Sequence, residues 1–160
     1  MKFKIPDSNQ QVEFSKSALG VFCSARQINT NDKEKGGLMF ARFELPAITI
    51  SDAFVMGESN RISRFLFCPS RKEKVGAINA AFKKNLHYVG EWHTHPEKYP
   101  NPSNLDLDSM KKAFIESKHE LNHFMMVIVG NEIKSLNLHV SLHNESGMVF
   151  SRNNSISSVD

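Results

Sequence analysis

The stretch Glu91-Trp92-His93-Thr94-His95-Pro96, followed by Ser103-Asn104-Leu105-Asp106, decides how this chain is read. Side chains alternate along a β-strand, so residues i and i+2 share a face with Cα atoms ~6.5 Å apart. If this segment is a strand, His93 and His95 point two imidazoles into one space. Each can then reach a metal at a Zn–N distance of roughly 2.0–2.1 Å. Pro96 lacks an amide donor and ends the strand directly after the second histidine. Ser103 and Asp106 spell S-x-x-D, the signature of a helix start with the serine as N-cap. The helix returns Asp106 as a third, anionic ligand, and places the Ser103 hydroxyl beside the metal. Three protein ligands leave one tetrahedral position open, the pattern of a catalytic zinc site rather than a structural one. Taken singly, strand histidines and S-x-x-D are commonplace without any metal. Ligand type, strand spacing and capped return together favour the metal.

Outward from this stretch the pattern is α/β. Val12 to Phe14 begins a strand and Ser15 to Ala25 reads as helical. Gly37 to Phe43 and the β-branched Leu45 to Ser51 read as strands, with a loop over Asp52 to Ser63 and a short strand over Arg64 to Phe67. Val75 to Asn85 has helical periodicity, Tyr88 to His95 is the metal strand, and Leu105 to Ser117 is the helix that follows. Phe124 to Val129 is the most apolar run and predicts a central strand; alternating Leu and His over Ile133 to Leu142 predict a half-exposed one. One domain is expected over residues 1–150, and the polar residues 151–160 read as a flexible tail.

The 160 residues suffice to bury roughly two-thirds of the unfolded surface in one core. A net charge of +3 is too mild for the basic stripe of a nucleic-acid binder. Cys23 and Cys68 make no disulfide framework and no C-x-x-C, so reduced, buried thiols are expected. Met1 to Asp7 holds no apolar signal core, and no run approaches the about 18 apolar residues of a membrane span. The expectation is a cytoplasmic protein that binds no membrane.

A second metal motif competes with the first. His119-Glu120-Leu121-Asn122-His123 spells H-E-x-x-H, which binds zinc when both histidines share one face of a continuous helix. A strand is predicted to begin at Phe124, so the helix this motif needs is missing. His119 is instead explained as a residue of a helix C-terminus, where basic groups are favoured. His87, His139 and His143 have no partners at ligand spacing and read as solvated.

With its seven residues between His95 and Ser103, Glu91-Trp92-His93-Thr94-His95-Pro96…Ser103…Asp106 resembles the JAB/MPN metallopeptidases, also called the JAMM family. Glu34-Lys35-Gly36-Gly37-Leu38-Met39-Phe40 matches the glutamate and glycine-containing strand found upstream in that family. The resemblance implies a cytidine-deaminase-like α+β fold, a central mixed sheet flanked by helices. It implies Zn²⁺ on His93, His95 and Asp106, with Glu34 as general base and Ser103 donating to the oxyanion. Glu44 and Glu91 are rival bases, Glu91 also a partner that orients a ligand. The glycine usual shortly after the Gly-Gly stretch is replaced here by Phe40-Ala41.

Gly90 to Pro96, Pro102-Ser103 and Leu105-Asp106-Leu107 are similar to the deconjugating peptidases of bacterial CBASS antiphage operons. There the enzyme releases a cGAS/DncV-like nucleotidyltransferase (CD-NTase) from proteins joined to its C-terminus. The implied partner is therefore the C-terminal tail of a conjugated protein. Arg61 and Arg64, in a segment resembling an insertion of that branch, are suited to a carboxylate. A peptidase that processes a ubiquitin-like or sulfur-carrier precursor is the alternative, and an inactive scaffold the third reading.

Overall fold

The computed structural model describes residues 1–56 and 70–157. Its strands are β1 (Lys2–Lys4), β2 (Gln11–Phe14), β3 (Gly36–Glu44), β4 (Ala47–Val55), β5 (His87–Thr94), β6 (Phe124–Val129), β7 (Ser135–Asn144) and β8 (Gly147–Ser157). The helices are α1 (Lys16–Ala25), α2 (Arg71–Phe82) and α3 (Asn104–Glu116). All the strands join one mixed sheet in the order β1-β2-β4-β3-β5-β6-β7-β8. The pairs β2–β4 and β5–β6 are parallel and the others antiparallel. This is the α+β sheet flanked by helices that the family resemblance implies.

Each helix starts where a serine can accept a backbone N–H. Ser15 caps α1 through Ala18 N at 3.0 Å, and Ser70 and Ser103 form reciprocal capping boxes with Glu73 and Asp106. Helix α1 covers one face of the sheet, where Phe22 packs on Trp92 with ring centroids 5.3 Å apart. Helices α2 and α3 cover the other face. Ala81 of α2 packs with Leu38 and Phe40, and Met110 of α3 with Phe124, Met126 and Ile128. Every side chain of β6 is buried, so both faces of this strand must be apolar.

Three expectations are corrected. Strand β4 runs on to Val55, past the loop predicted to begin at Asp52. Strand β7 is buried along both faces rather than half-exposed, because α3 covers the row Asn137, His139, Ser141 and His143. Residues 151–157 are not a loose tail. They complete β8, which pairs with β7 from Asn144↔Gly147 to Ser135↔Ser157. Phe150, Arg152, Asn154 and Ile156 alternate inwards along β8, and Phe150 stacks on Phe3 at 5.8 Å. Half of that inward row is polar, which hides the period of two from a reading of composition. The predicted strand at Arg64 to Phe67, with Arg61 and Cys68, lies outside the described residues.

Candidate metal centre

Strand β5 delivers the two histidines as the alternation requires. His93 lies within the ladder opposite Gly36 and Ile128; His95 is one residue past the strand's end, yet its N–H still donates to Val129 O at 2.9 Å. The rings face each other with Nε2···Nε2 at 3.2 Å. Asp106, in the first turn of α3, places Oδ1 3.3 Å from His93 Nε2 and Oδ2 3.5 Å from His95 Nε2. The three side chains are between 10% and 17% exposed. Among the described residues they form the one group of three ligand-type side chains close enough to share an ion.

The donor set can be tested against zinc by geometry. Ligands roughly 2.0–2.1 Å from a tetrahedral centre lie about 3.3 Å from one another. The two imidazoles are 3.2 Å apart, near that value, and each lies 3.3 to 3.5 Å from a different oxygen of Asp106; one ligand atom from each of the three residues falls within 4.8 Å of the others, so the set suits a shared zinc ion. Electrostatics agree. Burial favours the protonated form of Asp106, but the hydrogen bond and charge of His93, and then the bonds from Ser103, outweigh it and hold the carboxyl well below its usual range. Burial, and then the neighbouring His93 charge, pushes His95 down against Asp106 and Glu97, favouring the neutral imidazole that ligates metal.

The connection from His95 to Ser103 is fastened to the sheet. Asn131 N–H donates to Glu97 O at 2.9 Å, Asn137 Nδ2 to Lys98 O at 2.8 Å, and Lys98 Nζ pairs with Glu132 at 2.7 Å. Gly130 makes this approach possible, since a Cβ there would stand 2.7 Å from Lys98 O and 2.8 Å from Glu97 O. Ser103 then donates to Asp106 Oδ2 twice, from N and from Oγ, both at 2.7 Å. The capping box thus aims the third ligand as well as starting the helix.

Glu34 is 4% exposed and belongs to the segment leading into β3. Lys35 O accepts Thr94 N–H at 2.8 Å, and Gly36 lies opposite His93, so Glu34 directly precedes the residues that pair with the histidine end of β5. The glycine after it has its own reason. Phe54 O crosses over Gly37, where a Cβ would sit 1.6 Å away, and accepts the Trp92 indole N–H at 3.2 Å. Glu44 ends β3, eight residues from Gly36 and so ~26 Å away, which removes it as a base. Glu91 accepts from Tyr88 Oη at 3.1 Å and pairs with Lys74 of α2. It ties α2 to β5 instead of orienting a histidine. Burial, then the Glu91 charge, pushes the Tyr88 hydroxyl well up, which keeps it a donor.

The zincin motif does not form a site. Helix α3 ends at Glu116, and His119 packs between Phe114 and Phe124 with Nε2 2.9 Å from Phe114 O. His123 instead lines a cavity of about 150 Å³ with Ile5, Val12, Ile50, Val89 and Met125, none of them a ligand of the first group. Two residues that sequence reasoning missed are Gln27 and Thr94. Both are fully buried and hydrogen-bonded to each other at 2.8 Å.

Residues 24–139 match the model of the prokaryotic homologs of the JAB domain. The chain belongs to this family. It is 32% identical over 127 residues to a CD-NTase/cGAS isopeptidase of Pseudomonas aeruginosa, covering 78% of this chain and 80% of that one. A second isopeptidase of the same name, from Enterobacter hormaechei, is 29% identical over 101 residues, 62% of this chain and 56% of the relative. A solution structure of a protein from Desulfitobacterium hafniense shares the fold, with a TM-score of 0.65 at 18% identity over 89% of each chain.

Proposed function

We propose that this chain is a zinc-dependent isopeptidase that releases a CD-NTase from proteins joined to its C-terminal tail, as part of a bacterial antiphage system in the cytoplasm. The observation that carries the proposal is the convergence of His93, His95 and Asp106, one ligand atom from each within 4.8 Å of the others, in a chain of the JAB family with isopeptidase-named relatives.

Zinc held by these three side chains supplies a Lewis acid that polarises the scissile carbonyl and makes water nucleophilic near neutral pH. Glu34 takes the proton of the attacking water and passes it to the leaving amine, so that amide and water become acid and amine. Ser103 donates its hydroxyl to the developing oxyanion. Its backbone N–H continues to hold Asp106 when the hydroxyl turns away.

The test is cleavage of a CD-NTase C-terminal tail fused to a reporter, with and without chelator. Release that a chelator blocks and zinc restores is expected. No release of this fusion alongside cleavage of a ubiquitin-like precursor would reassign the substrate. A purified chain that holds no zinc would make it a scaffold.

A further inference from the structure

We infer that Gln27 is a positioning residue for Glu34, acting through the Thr94 hydroxyl between the two histidines. This deepens the proposed function and rests on the reading of Glu34 as the base. Ten residues, Arg26 to Lys35, separate α1 from β3, and Glu34 is the ninth of them. The sheet ladder begins only at Gly36, so regular strand pairing does not reach the glutamate. A chain of side-chain bonds holds it instead. Thr94 Oγ1 accepts from Lys35 N–H at 3.0 Å and donates to Gln27 Oε1 at 2.8 Å. Gln27 Nε2 donates to Asp32 O at 3.0 Å. Asp32 closes the loop on itself by accepting Asn29 N–H at 2.8 Å.

The arrangement fastens both flanks of Glu34 to one residue of the ligand strand. Lys35 is held directly by Thr94, and Asp32 indirectly through Gln27. Thr94 is 0% exposed and Gln27 1%. Polar groups at such depth must be satisfied, and a half-satisfied network costs more than an apolar one. The loop is therefore held at Asp32 and at Lys35, on either side of Glu34, by one buried set of bonds. Because Thr94 lies between His93 and His95, any shift of the ligand strand carries the loop with it. The Thr94 backbone N–H, which donates to Lys35 O at 2.8 Å, and the Thr94 hydroxyl act on the same residue, and only the hydroxyl reaches Gln27.

A displacement of ~1 Å in a catalytic group costs about 100-fold in rate. Gln27→Met keeps volume and removes both bonds. In a zinc-loaded chain, with the CD-NTase-tail fusion as substrate, it is expected to lower kcat between ~10- and 100-fold. KM and zinc stoichiometry should stay unchanged. Lys35 amide exchange should accelerate while the His93 and His95 amides stay protected. Thr94→Val should behave alike, and Thr94→Ser should restore most of the lost turnover. Combined with Glu34→Ala, Gln27→Met should add nothing, since the group it places is gone. Full kcat in Gln27→Met beside an inactive Glu34→Ala overturns this inference and leaves the proposed function standing. Loss of zinc in Gln27→Met also overturns it, since the clamp would then serve the ligands. Full activity in Glu34→Ala overturns the reading of the base, and this inference with it.

Discussion

Two histidine motifs lie within one stretch of about thirty residues, and among the described residues only one of them joins a group that could hold a metal ion. In H-x-H the spacing of two matches the strand that carries it, and the Nε2 atoms meet at 3.2 Å. In H-E-x-x-H the spacing of four needs a helix, and the chain there has already left α3. His119 turns into an aromatic cluster with Phe114 and Phe124, while His123 faces a different cavity. Identical residue types thus acquire opposite roles from the period of the backbone beneath them.

Substitutions in the two motifs sharpen that contrast. Asp106→Ala is expected to have the largest effect, more than about 100-fold in zinc affinity, with loss of turnover, because it removes a direct ligand. Zinc per chain and reporter release measure it. Glu34→Ala should cost ~10²–10⁴-fold in kcat at unchanged zinc content, since it removes proton transfer and no ligand. Ser103→Ala should lower kcat ~10²-fold or more through the lost oxyanion donor, and stability by about 1 kcal/mol through the lost cap. A loss of stability without any loss of kcat would confine Ser103 to capping. His123→Ala should leave zinc content and kcat where they were; a fall in zinc would restore the helical motif.

The histidines of β7 supply a second contrast. His143 is fully buried, with Nε2 2.8 Å from Ser141 Oγ, and burial pushes its pKa down to about 4. The unfolded chain binds this proton near pH 6.5 and the folded chain only near 4, so stability falls as pH drops through that window. The loss should approach roughly 3 kcal/mol by pH 4, and His143→Asn should flatten the profile in urea denaturation. An unchanged profile would place His143 in contact with water.

What the sequence makes legible is what its local spacing encodes. Six consecutive apolar residues announce β6, and the intervals from His93 to Asp106 announce the group of side chains that could hold a metal ion. Strand β8 is hidden because Arg152 and Asn154 face inwards, where alternation is expected to be apolar. The buried face of β7 is hidden because only α3, folded back over it, tells a covered histidine from a solvated one. The clamp on the Glu34 loop joins residues 67 positions apart, beyond any local pattern.

The most direct measurement is a crystal structure of the zinc-loaded chain with data collected on both sides of the zinc absorption edge. The account predicts one anomalous peak bonded to Nε2 of His93, Nε2 of His95 and a single Asp106 oxygen, with solvent in the remaining position. A peak at His119 and His123, or a fourth protein atom closing the shell, would contradict it.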